Sequence, residues 1–98
     1  MDYLQFNHTL DMGKPPENFH DVLKALWWDR KGDWDTAHQI IQNLDSSDAA
    51  WVHAYLHRKE GDLGNALFWY NKAGKPMPEI DIVEEFRELT KIFLPIYS

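Results

Sequence analysis

Ninety-eight residues suffice for one modest hydrophobic core, and a chain that is 44% apolar and 27% charged falls in the globular rather than the disordered range. The absence of cysteine excludes disulfides and thiolate metal sites, and a formal charge of −6 lacks the cationic footprint that nucleic-acid binding needs. The acidic, polar opening MDYLQFNHTLDMG does not have the form of a signal peptide, and no apolar run is long enough to span a bilayer, so the chain reads as a cytoplasmic protein with no membrane partner.

Residues 1–16 read as an irregular arm ending in Lys14-Pro15-Pro16, a stiff entry to a first helix. That helix is predicted over about 17–31, from Phe19, Val22, Leu23, Leu26 and Trp27 at helical spacing. A second follows over about 34–44, with Trp34, Ala37, Ile40, Ile41 and Leu44 on one stripe. Asn43–Asp48 is a turn, and Ser47 or Asp48 is the expected cap of a third helix over about 49–60, which is apolar on most sides and therefore central. A fourth is predicted over about 63–73 and ends at Gly74. Lys75-Pro76-Met77-Pro78 is a rigid connector. Asp81 with Glu84 caps a fifth helix over about 82–94, which Pro95 is expected to stop. Its polar outer face suits a helix that covers the end of the second hairpin.

The chain repeats itself. Ala25, Gly32, Asp33 and Ala37 recur as Ala54, Gly61, Asp62 and Ala66, at an offset of 29 residues. Each match has a physical reason. Glycine accepts the left-handed conformation that ends a helix, and the following Asp accepts hydrogen bonds from free N–H groups at the start of the next. The paired alanines let two antiparallel helices approach closely, and Trp34 and Leu63 cover the turns. Two helical hairpins follow, over 17–44 and 48–74, with a capping helix over 79–95, all within a single domain.

This pattern, Ala-x6-Gly-Asp-[Trp/Leu]-x2-Ala, resembles the central signature of tetratricopeptide (TPR) repeats over roughly residues 19–78. The resemblance implies an all-α, right-handed array of about five helices. Two departures stand out: the offset is shorter than the usual ~34 residues, and Asp21, Lys24, Ala50 and His53 occupy early first-helix positions where large apolar residues are expected. The stretch from Trp51 to Asp62 also resembles small bacterial proteins, without implying an activity.

In the family, defined first-helix positions line a concave face. By the glycine alignment these are Phe19, Val22, Leu26, Asp29 and Arg30 in the first unit, and Asp48, Trp51, Tyr55, Arg58 and Lys59 in the second. The resemblance thus implies a non-catalytic protein- or peptide-interaction module, its apolar-aromatic groove rimmed by basic residues that suit a partner carboxylate. The same strip can instead be covered by the N-terminal arm (Tyr3, Leu4, Phe6), by the fifth helix, or by a second copy in a structural homo-oligomer.

No catalytic motif is present: the serines lack a nucleophile-elbow context, and there is no glycine-rich phosphate loop. No cofactor is implied. Asp29, Asp33 and Asp35 cluster at the first turn, where capping accounts for such charges. His53 and His57 stand four apart on one helix face, at the spacing of metal ligands. A site there needs a third donor such as His38, Asp29 or Glu60, with Trp28 at the position equivalent to His57. The preferred expectation for this pair is structural: two imidazoles hydrogen-bonded or packed against indoles.

Overall fold

A computed structural model describes residues 1–98 as six helices and no strands. They are α1 (Tyr3–Thr9), α2 (Asp21–Arg30), α3 (Trp34–Gln42), α4 (Ser47–Lys59), α5 (Leu63–Ala73) and α6 (Ile82–Tyr97). None is long and apolar enough to cross a membrane.

The junctions follow from their residues. Gly32 and Gly61 have φ of 91° and 86°, in the region a side chain disfavours. Asp33 then accepts from Thr36 N at 3.1 Å and Asp62 from Asn65 N at 3.2 Å, so each carboxylate caps the next helix. Hydrogen bonds from the Thr36 and Asn65 side chains first, and then these backbone bonds, hold both carboxyl groups below the usual carboxylate range. The α2–α3 and α4–α5 hairpins result, and α3 packs on α4 to join them.

Six helices, not five, form the domain, because the N-terminal arm contains α1. Asp2 accepts from Gln5 N while the Gln5 side chain accepts from Asp2 N, each at 2.8 Å, a reciprocal cap that starts a helix within the supposedly irregular segment. The second helix starts at Asp21 rather than near residue 17. His20 Nδ1 accepts from Val22 N at 3.1 Å and serves as its cap, leaving Phe19 in the approach to the helix. Ser46, rather than Ser47 or Asp48, caps α4.

The last helix departs furthest from expectation. It runs through Pro95 to Tyr97, although proline removes an internal hydrogen bond. Tertiary ties hold that turn: His20 N donates to Tyr97 O at 2.9 Å, the Tyr97 hydroxyl donates to Asp48, and the His20 and Tyr97 rings stack at 4.5 Å. Nor does α6 simply cover the second hairpin. It lies against α2 and α4, the first helices of both hairpins, and against α1. Its Phe86, Leu89 and Phe93 are buried in one cluster with Val22, Leu26, Trp27, Val52 and Tyr55. An apolar strip that would otherwise face water is the physical reason for this placement.

Phe6 completes the cluster from α1, fully buried and with ring centroids 6.1 Å from Phe19 and 6.2 Å from Phe86. Phe6→Ala is expected to cost about 3–5 kcal/mol in urea unfolding. A loss below ~1 kcal/mol would mean that α1 is not part of the cooperative core.

Candidate metal centre

The contact between α3 and α4 brings together three histidines. His38 projects from α3, while His53 and His57, one turn apart, project from α4. His38 Nε2 lies 3.1 Å from His53 Nε2, and one nitrogen of each of the three rings falls within 4.8 Å of the others. Ring centroids are 4.8 Å apart for His38–His53, 5.1 Å for His38–His57 and 4.9 Å for His53–His57.

Indoles orient the rings. Trp34 stacks on His38 at 4.8 Å with planes 8° apart, and Trp69 of α5 stacks on His53 at 4.0 Å with planes 16° apart. Trp34 is itself anchored, its Nε1–H donating to Leu56 O at 2.8 Å. Trp34 thus ties α3 to α4 and orients the His38 imidazole stacked on it. Trp28 does not join this group: it meets Trp27 edge-on at 5.0 Å.

Of the three candidate third donors, His38 is the one that meets the His53–His57 pair, with Glu60 outside it. Glu60 Oε1 lies 2.7 Å from His57 Nδ1, an outer carboxylate that orients the ring. Asp29 is elsewhere. It is buried between α2 and α4, with Oδ2 accepting from the Tyr55 hydroxyl at 2.7 Å and Oδ1 from Lys59 Nζ at 2.9 Å.

Electrostatics disfavour protonation of two of the three rings, His53 and His38. Burial first, and then the neighbouring His57 and His38, push His53 down to about 4. Burial and His57 also lower His38, partly opposed by the carboxylates of Glu60 and Asp35. Neutral imidazoles are the form that coordinates metal ions. A tetrahedral ion bound at 2.0–2.1 Å holds its nitrogens about 3.3 Å apart, and the His38–His53 separation already matches that span.

The residues expected to line a groove have other surroundings. Phe19, Val22, Leu26 and Tyr55 are buried in the core beneath α6. Trp51 is half-buried, with Phe93 edge-on at 5.8 Å and the Lys75 ammonium 4.5 Å above its ring. Arg58 donates to Glu85 Oε1 at 2.9 Å and to Ile80 O, spanning α4 to α6. Asp48 accepts from Tyr97. Lys59 is tied to Asp29, and only Arg30 stays exposed without an ion pair, its guanidinium 5.7 Å from the Phe86 ring. The open strip is therefore filled by the chain's own α6 and α1. Sequence spacing had no signal for this, because a surface strip and a core strip share one apolar pattern.

Comparison with protein-family models, with curated proteins and with solved structures gave no match.

Proposed function

We propose that the chain is a non-catalytic, metal-binding helical protein. His38, His53 and His57 hold one divalent transition-metal ion of the zinc or nickel type, and Glu60 orients His57 from outside. The observation that carries this reading is the convergence of three imidazoles from two hairpins on a region the size of one ion. Three nitrogen donors without thiolate suit borderline ions. The ion would join α3 to α4 and so fasten one hairpin to the next.

A binding rather than a catalytic role is favoured because none of the four surface cavities is lined by any of the three histidines. The paired Gly-Asp junctions support reading the two hairpins as a short TPR-like array, closed over its inner face by α6. In this reading a protein or peptide partner does not enter the buried aromatic strip.

Equilibrium dialysis against zinc at pH 7.5 tests the site. About one ion per chain is expected, lost in His38→Ala, which removes a half-exposed side chain without opening the core. Zinc at ~100 times its Kd should raise stability by about 2.7 kcal/mol in the wild type and not in the variant. Sub-stoichiometric zinc, or full retention by His38→Ala, would leave the histidines as packing residues only.

A further inference from the structure

Apart from the imidazole centre, four of the expected groove residues, Asp29, Arg30, Tyr55 and Lys59, meet at a cavity. They line it together with Ile82, Val83 and Phe86, where the C-terminal ends of α2 and α4 face the start of α6. Its volume is about 160 Å³. A cavity of ~150 Å³ holds a benzene ring, so the space suits a ligand of roughly six heavy atoms.

The charges at this cavity do not balance. Its one internal anion, Asp29, is saturated: it is 2% exposed, with one oxygen bound to Tyr55 and the other to Lys59. Arg30 is a second cation at the same mouth and takes part in none of the chain's ion pairs. Its guanidinium is steered over the cavity by the Phe86 ring. Lys59 retains N–H donors beyond the one given to Asp29. The opposite wall is apolar, and Val83 is 64% exposed with nothing packed over it. A guanidinium fork, a spare ammonium donor and an apolar wall form one concave site, which is the chemistry of carboxylate recognition.

We infer that this cavity binds a carboxylate carried on a short branched or aromatic hydrocarbon group. Arg30 and Lys59 take the carboxylate, and Ile82, Val83 and Phe86 take the hydrocarbon. The same chemistry is offered by a free small acid or by the free end of a peptide whose last residue is aliphatic. This site is separate from the histidine centre and does not depend on it.

NMR titration of the full chain tests the inference, reading the Arg30 side-chain Nε–H and the Val83 methyl groups. The probes are 3-methylbutanoate, its neutral amide, and the tripeptide Ala-Ala-Val with a free or an amidated end. A carboxylate form should give saturable shifts at both residues, with the corresponding amide at least about tenfold weaker, as expected when a charge-assisted hydrogen bond is lost. Arg30→Gln should weaken binding by a similar factor. Val83→Asp, which sets a like charge at the apolar wall, should abolish it. Both substitutions are on exposed side chains, so the fold is retained. Binding of the free acid alone identifies a small-molecule site, and binding of the free-ended peptide identifies a peptide site. No saturable shift with either carboxylate, or undiminished binding by Arg30→Gln, overturns the inference.

Discussion

Glu85→Ala is expected to lower the unfolding free energy by about 3–5 kcal/mol, the cost of breaking a buried ion pair from one side. Glu85 lies on the buried face of α6, 3% exposed, and both of its oxygens are used. Oε1 accepts from Arg58 Nη1 and Oε2 from the Tyr70 hydroxyl, so one carboxylate ties α6 to α4 and α5 together. Burial and this carboxylate push the Tyr70 hydroxyl well above its ordinary range, which keeps it a donor. Removing the carboxylate leaves a guanidinium with a 14% exposed side chain and a fully buried hydroxyl short of their acceptor. Glu88→Ala, at an exposed position on the same helix, should stay within about 0.5 kcal/mol. Replacing Glu85 and Arg58 together with leucine and methionine should cost less than Glu85→Ala alone, because no unpaired charge remains. Urea unfolding followed by circular dichroism measures all three. A Glu85→Ala loss no greater than that of Glu88→Ala would mean that apolar contact alone holds α6.

The second large effect is on pH dependence. His53 titrates near 4 in the folded chain, against an ordinary value of 6.5 when unfolded. Above about pH 6.5 both states are neutral and the full stability is present. As pH falls below that, the unfolded chain takes up the proton and the folded chain does not, so stability is lost until His53 itself protonates near pH 4. His38, also lowered, adds in the same direction. The groups around the cluster are Asp35 on α3, His57 on α4, Glu60 at the C-terminal cap of α4, and Lys72 of α5, whose ammonium lies 5.4 Å from the Trp69 ring. The expected loss between pH 7 and 4.5 is on the order of 2 kcal/mol in metal-free protein. His53→Gln should flatten the thermal midpoint over that window. A midpoint that rises with acidification would contradict a neutral His53.

Local chemistry was the readable part of this sequence. Gly32-Asp33 and Gly61-Asp62 specify their turns from adjacent residues alone, since φ and the capping bond are set within four positions. Asp2 and Gln5 carried an equally local signal for α1, obscured by the polar residues around them. Pro95 misled in the other direction, because the ties from His20 and Asp48 to Tyr97 are long-range and outweigh a local penalty. The histidine cluster was half readable. Helical spacing alone aligns His53 with His57, but His38 reaches them only through the α3–α4 contact, which no periodicity encodes. The aromatic strip was legible as apolar, and its covering by the N-terminal arm or the last helix was one of several alternatives, because which element covers it rests on long-range contacts.

The central claim, that three histidines form one ion site, is tested most directly by anomalous diffraction at the zinc edge from crystals grown with zinc. A single strong peak is expected between α3 and α4, about 2.0–2.1 Å from one nitrogen each of His38, His53 and His57, with Glu60 still on His57 Nδ1. Zinc found only at surface carboxylates, with the His38–His53 contact unchanged at 3.1 Å, would contradict the account.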